Sequence, residues 1–241
     1  MNYREPTLLL TRPEPLSSKF LARCEKALGG RVAAVISPVM RIVEAGDIPP
    51  LDDYQTLIFT SGHAVRRVGN AGLLNGRNVA TVGRATAELA TGYGAVAKEL
   101  GSDLVTFLAN FGDIGDPCLH LRGSHARGDL ATHLNMAGKT AHEAIIYDQL
   151  SMPPTRAAQA LIAGSDPIIA PVFSPRSAEL LSRFADQRAD VTIIAMSAAV
   201  AAASSQIGKV QIADPPTVEA MCRATVASLK QAYLVERPAD D

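Results

Sequence analysis

The chain has 241 residues, 47% of them hydrophobic, and its 23 Lys and Arg nearly match its 24 Asp and Glu for a formal net charge of -1. That balance gives no basic footprint for nucleic acid over the whole surface, so any anionic ligand must be held locally. Such a length can bury one large core or two modest ones.

Leu8 to Thr11 predicts a short buried strand, and Arg12-Pro13 turns into a helix with Leu16, Phe20, Cys24, Ala27 and Leu28 on one face. Gly29-Gly30 stops that helix. Val32 to Ile36 is β-branched and apolar on both faces, as a parallel strand between helices should be, and Ser37-Pro38 breaks it. Val39 to Val43 resumes as a strand. The scheme continues with strands at Leu57-Phe59, Val79-Val82 and Val96-Ala97. Helices are expected at Ala64-Val68, at Thr86-Ala90 and after a cap at Ser102 or Asp103. Strand and helix alternate, which is the pattern of an α/β sheet protein.

Cys118 to Leu121 reads as a strand, Arg122 to Gly128 as a loop, and Leu130, Leu134 and Ala137 as one helix face ending at Gly138. Ala144 to Leu150 is extended, and Pro153-Pro154 follows it. Strands are expected at Ile168 to Phe173, Val191 to Met196 and Val210 to Ala213. Asp214-Pro215-Pro216-Thr217 then introduces a closing helix through Val218, Met221, Val226 and Leu229, with Val235 to Asp241 as a frayed tail.

The two halves are related. An offset of 114 carries Phe59 to Phe173, Val79 to Ile193, Val82 to Met196, Val96 to Val210 and Leu104 to Val218. An offset of 110 carries Leu10-Thr11-Arg12 to His120-Leu121-Arg122 and Val35-Ile36-Ser37 to Ile145-Ile146-Tyr147. Each half is about 100 residues, an ordinary domain size and too long for a solenoid repeat.

Cys24, Cys118 and Cys222 are far apart and form no C-x-x-C pair, which suits a reducing compartment better than a disulfide framework. Leu8-Leu9-Leu10 is too short for a signal-peptide core, and Val191 to Ala203 is too short and alanine-rich to cross a bilayer. A soluble cytoplasmic protein is expected, with no membrane or nucleic-acid partner. No heptad seam or long apolar edge stands out, and a monomer is expected.

In an open parallel sheet, ligands gather beyond the carboxyl ends of the strands, where helix N-termini offer N–H groups. Hydroxyl and small residues concentrate there: Thr11-Arg12-Pro13, Thr60-Ser61-Gly62, Gly83-Arg84-Ala85-Thr86, Arg122-Gly123-Ser124 and Ser174-Pro175. Taken singly, each hydroxyl could merely cap its own helix. The dinucleotide fingerprint, the Walker loop, H-E-x-x-H and the G-x-S-x-G elbow are all absent from the sequence. Cys118, His120 and His125 supply only three of the four ligands a structural zinc site wants, and His133 falls beside the helix face as a half-exposed residue. Met221 and Cys222 read as core packing and Met196 as a strand-end filler.

Ile58-Phe59-Thr60-Ser61, Val82-Gly83-Arg84-Ala85-Thr86, His120-Leu121-Arg122-Gly123, Ile146-Tyr147-Asp148-Gln149 and Phe173-Ser174-Pro175 follow one another in this order after Leu10-Thr11-Arg12-Pro13. In that order and spacing the chain resembles the uroporphyrinogen-III synthase family over nearly its whole length. The resemblance implies two flavodoxin-like α/β domains, each a parallel sheet flanked by helices, joined by a two-stranded β linker with a cleft between them. The first would comprise residues 1–37 and 151–241 and the second residues 38–150, with linker strands at about 39–43 and 144–150.

The resemblance also implies a lyase that needs neither cofactor nor metal. It would dehydrate and cyclise the linear tetrapyrrole hydroxymethylbilane with inversion of ring D, and could receive that unstable substrate by transient contact with the preceding pathway enzyme. Tyr147 matches the family's tyrosine, an oriented donor to the leaving hydroxyl. Ser61, Thr86 and Ser174 match cleft residues, Gly62 is a further substrate-binding candidate, and Arg12, Arg122 and Arg127 are candidates for the substrate's carboxylates. One stretch departs from the family: Ser197-Ala198-Ala199-Val200 stands where a second Gly-x-x-Thr phrase is usual. A non-catalytic two-domain protein that binds a tetrapyrrole or another anionic small molecule is the alternative. A sugar- or nucleotide-processing enzyme would need paired carboxylates at strand ends, and Asp116 and Asp129 are poorly placed for that.

Overall fold

The computed structural model describes residues 5–125, 128–185 and 190–235. In chain order it runs β1 (Thr7–Leu10), α1 (Leu16–Leu28), β2 (Ala34–Ile36), β3 (Met40–Glu44), β4 (Thr56–Phe59), α2 (Gly62–Asn70), β5 (Asn78–Val82), α3 (Arg84–Gly92), β6 (Val96–Gly101) and α4 (Leu104–Asn110). After a 3-10 turn at Phe111–Asp113 come β7 (Cys118–Gly123), α5 (Leu130–Met136), β8 (Ala141–Ser151), α6 (Arg156–Ala163), β9 (Ile168–Val172), α7 (Pro175–Ser182), β10 (Val191–Ala195), α8 (Ala198–Ser204), β11 (Lys209–Ile212) and α9 (Val218–Val235). The chain divides into two compact units, one of residues 1–41 and 151–241, the other of residues 42–150.

The first unit holds a parallel sheet in the order β2-β1-β9-β10-β11. Its middle strand β9 is buried throughout while the edge strand β11 is exposed throughout, as expected of helices covering both faces of the centre. The ladder between β1 and β9 ends at Leu8 and Ile169, and Pro171 beyond has no N–H to extend it. Leu8, Leu10, Phe20, Cys24, Ile194, Met221 and Leu229 pack one face as a single core, under α1 and α9. Gly29 caps α1 in the left-handed conformation at φ 78, where glycine pays no Cβ penalty.

The second unit holds the order β3-β8-β7-β4-β5-β6. Five of its strands, β8-β7-β4-β5-β6, form a parallel run, and β3 is added beside β8. Hydrogen bonds from Ala45 N–H to Ile146 O and from Met152 N–H to Val39 O set β3 and β8 antiparallel. One face buries Leu57, Phe59, Val65, Val68, Leu119, Leu121 and Ile146. The other buries Ile58, Ala80, Phe107, Cys118, Leu130 and Leu134.

The two sheets have the same strand order once β1, β2, β9, β10 and β11 are matched to β7, β8, β4, β5 and β6, so the sequence duplication is a structural one. Register corrects it locally. Leu57 pairs with Val79 and Ala170 with Ile193, so the counterpart of Phe59 is Val172, not Phe173. The caps agree, with Ser61 before α2 and Ser174 before α7, which leaves Phe173 in the place of Thr60. Likewise Val35 faces Leu9 and His142 faces Leu119, making His142 rather than Ile145 the counterpart of Val35. Runs of β-branched residues look alike at several registers, and only the ladder chooses one.

Most other expectations shift by a residue or two, as end effects do, while β6 runs four residues past Ala97 and β8 begins three before Ala144. Arg122 and Gly123 belong to β7 and not to a loop, because the ladder to β8 continues through them by way of a bulge. Ala137 is the exposed C-cap of α5, and Ala131 is buried in its stead. His133 is exposed rather than half-exposed. Helix α6, capped by Thr155 and burying Ala158, had no expected counterpart, since a short alanine-rich segment carries little apolar period. All three cysteines are buried and unpaired. Of the expected tail, Val235 ends α9 and the rest lies outside the described residues. Among the described residues, no helix is long and apolar enough to cross a membrane.

Candidate functional site

In the second unit the strand order reverses between β7 and β4, and the residues singled out from the sequence lie at or just past the carboxyl ends of these strands and their neighbours. Ser61 follows β4 as the N-cap of α2, its hydroxyl accepting from the His63 N–H at 3.2 Å. Gly62 opens α2, and a Cβ there would come within 3.2 Å of the Leu89 side chain. Beyond β5, Gly83 caps α3 at φ 84 without any side-chain hydrogen bond, and Thr86 lies half-buried in the first turn. A helix start left uncapped in this way offers N–H groups to an anion.

Tyr147 owes its orientation to a bulge. Register between β7 and β8 slips after Arg122, so Ile145 faces Arg122 and Tyr147 faces Gly123. By simple alternation Tyr147 would lie on the Glu143 face. The extra residue turns it to join Ile146 on the opposite face, in the same core. The Ser124 N–H bonds to the Tyr147 carbonyl at 3.0 Å, which pins the backbone. The ring lies directly over Gly123, where a Cβ would sit 2.5 Å from Cζ and 2.9 Å from the hydroxyl oxygen. The His63 ring is 5.8 Å away, centroid to centroid. Only 5% of Tyr147 is exposed. Burial raises its pKa, against smaller opposing pulls from the Ser61 and Gln149 side chains and from Arg122, and the phenol stays protonated at neutral pH.

Arg122 is half-buried and spends Nη1 on Glu143 Oε2 at 2.9 Å. Glu143 Oε1 in turn meets His120 Nδ1 at 3.2 Å. The hydrogen bond from His120 first, and the Arg122 charge with it, hold the Glu143 carboxyl below its ordinary pKa despite partial burial. Arg122 therefore brings a largely answered charge to any ligand.

In the first unit, Arg12 follows β1 and lays its guanidinium over the Phe173 ring, 4.1 Å from the centroid. Ser174 caps α7, accepting from the Ser177 N–H at 3.1 Å and sharing a hydrogen bond of 2.8 Å with the Ser177 hydroxyl. Ser174→Ala is expected to cost about 1 kcal/mol, read as a lower urea midpoint at unchanged slope. The departing stretch is a capped helix start: Ser197 accepts from the Val200 N–H at 3.4 Å before α8, where α3 has an open glycine start. Arg127 lies outside the described residues.

The structure thus groups Ser61, Gly62, Thr86, Arg122 and Tyr147 at one edge of the second sheet, and Arg12 and Ser174 at the corresponding edge of the first. Sequence reasoning did not assign His63, Gly123 or the Thr60-His120-Glu143 chain. The spacing of His120 and Arg122 on one strand face was the available signal, but nothing in the sequence placed Glu143 opposite them. Among the described residues, no group of three or more His, Cys, Asp or Glu is close enough to hold a metal. A cavity of about 280 Å³ lined by Thr56, Asn78, Val96 and Lys98 lies at the amino ends of β4, β5 and β6, the opposite edge from these residues.

Parallel α/β units with polar residues gathered at the carboxyl ends of their strands define an α/β protein built to hold a small polar ligand. The family model described as "Uroporphyrinogen-III synthase HemD" matches residues 20–223, and the chain belongs to that family. Its members are hydro-lyases of heme biosynthesis that act on a tetrapyrrole without a cofactor, and this chain has that activity. A uroporphyrinogen-III synthetase from Helicobacter pylori matches with a TM-score of 0.67 at 16% identity, over 94% of this chain and 100% of that one. A mutant uroporphyrinogen III synthase from Thermus thermophilus matches at 0.57 and 15%, over 94% and 99%. At such identities these likenesses establish the α/β fold. Among curated proteins, no sequence matches this chain.

Proposed function

We propose that Tyr147 supplies the hydrogen bond that draws hydroxide from the terminal methylene of hydroxymethylbilane, after which the chain closes with ring D inverted and the proton that the ring then loses leaves with the hydroxide as water. The carrying observation is the orientation of the phenol: a bulge turns it, Gly123 makes room for it, and burial keeps it protonated. A buried phenol with a raised pKa is a poor acid, so it works as an oriented donor while the electron-rich pyrrole provides the push. Ser61, Gly62 and Thr86, together with the N–H groups at the start of α3, bind carboxylates. Arg122 and Arg127 are the carboxylate-binding guanidinium groups of the same unit, and Arg12 and Ser174 are the corresponding candidates of the first unit. Binding by amides and a few guanidinium groups suits a chain of net charge -1.

The two units are read as flavodoxin-like domains, a reading supported by the order β2-β1-β9-β10-β11, which has that topology. The chain passes between them through β3 and β8, the linker strands. A cytoplasmic monomer that takes its substrate by transient contact with the preceding enzyme completes the reading.

The test is to incubate the protein with freshly made hydroxymethylbilane and measure the ratio of inverted to uninverted porphyrinogen. The inverted isomer is expected in excess. The uninverted isomer alone, at the spontaneous rate, would mark a tetrapyrrole binder and remove the reading.

A further inference from the structure

We infer that His120 is a positioning residue which, held by Glu143, turns the Thr60 hydroxyl so that its oxygen meets the ligand as an acceptor for a pyrrole N–H. The identity of the ligand rests on the functional reading above. The device itself rests on geometry.

His120 is 2% exposed, yet both ring nitrogens are engaged, Nδ1 with Glu143 Oε1 at 3.2 Å and Nε2 with Thr60 Oγ1 at 3.2 Å. On this face of the sheet it lies with the apolar core made by Ile58, Phe107, Cys118, Leu130 and Leu134. The duplication provides an internal control. At the same places in the first unit stand Leu10, Ile36 and Phe173, all apolar and part of one cluster. The fold therefore works at these positions without any polar group, and a buried imidazole is costly unless its bonds serve something. Thr60 is the outlet: half-buried, it directly precedes the cap Ser61 at the carboxyl end of β4.

The charged groups around the imidazole fix its tautomer. Glu143 is ionised and bonded to Arg122. A carboxylate accepts only, so Nδ1 carries the hydrogen, and in the neutral ring Nε2 keeps its lone pair. The Thr60 O–H then donates to Nε2, and Oγ1 has only lone pairs left to offer. Such an oxygen attracts an N–H donor and repels a carboxylate. It would orient a pyrrole ring by its nitrogen, which a set of carboxylate-binding amides cannot do.

The experiment pairs ¹⁵N resonances of the imidazole with kinetics in the full chain. In the wild type at pH 8, His120 is expected to carry its proton on Nδ1, and Thr60→Val should move the Nε2 resonance. His120→Leu, which installs the first unit's residue, should fold and raise KM about 3- to 10-fold with kcat little changed, and Thr60→Val should do the same without further loss in the double variant. A proton on Nε2, an Nε2 resonance that ignores Thr60→Val, or unchanged KM in Thr60→Val overturns the inference. If His120→Leu failed to fold, Thr60→Val would decide alone. A wild type that makes only the uninverted isomer overturns the functional reading instead, and that result comes from the product ratio, not from KM or the resonances.

Discussion

Tyr147→Phe is expected to lower kcat about 10- to 1000-fold while leaving substrate affinity nearly unchanged, because it deletes the hydrogen bond proposed to reach the departing oxygen and little volume. Single-turnover rates and ligand binding, measured separately, check the split. If the variant turned over at the wild-type rate, the tyrosine would be a packing residue and the dehydration would need another donor. The pH dependence has a definite sign. Burial raises the phenol's pKa above its ordinary value near 10, so its neutral form is favoured in the folded state. That contribution to stability is fully present below the unfolded value and is lost as pH rises through the folded one. Between about pH 10 and that higher value the wild type should lose stability with a slope that Tyr147→Phe removes, a difference read from urea midpoints at several pH values.

Gly123→Ala should cost about 1–3 kcal/mol and depress turnover in the same direction, because the added methyl would lie 2.5 Å from Tyr147 Cζ in a packed core. Gly123 is not needed here for a left-handed backbone. It is needed because the phenol occupies the space a side chain would fill. The two sites should therefore couple: Gly123→Ala introduced beside Tyr147→Ala should cost far less stability than it does alone. Strict additivity would mean that the glycine serves the strand and not the ring.

Much of the candidate site's local structure was legible in the sequence. The hydroxyl and glycine turns after strands fell at Ser61, Gly83 and Ser174, where a cap or a left-handed residue is a local requirement of starting a helix. Arg122 was legible as a polar residue at a strand end, but not as the partner of Glu143, since the ladder that joins them closes across an intervening helix. The repeat was visible as well, though its offsets were misjudged by one residue at Phe173 and by more at Ile145. Hydrophobic pattern constrains which face a residue takes and says little about which of several similar residues stands opposite.

By itself, then, the sequence determined the alternation of strands and helices, the starts and stops of most helices and the twofold repeat. All of these follow from the periodicity and cap chemistry of short segments. Tertiary structure alone decided that Tyr147 crosses to the other face of its sheet, that its ring covers Gly123, and that a buried histidine is tied to a glutamate on one neighbouring strand and to a threonine just past the end of the other. A one-residue slip in a ladder reverses the side of every residue beyond it, and that slip is chosen by pairing between strands, not by either strand alone.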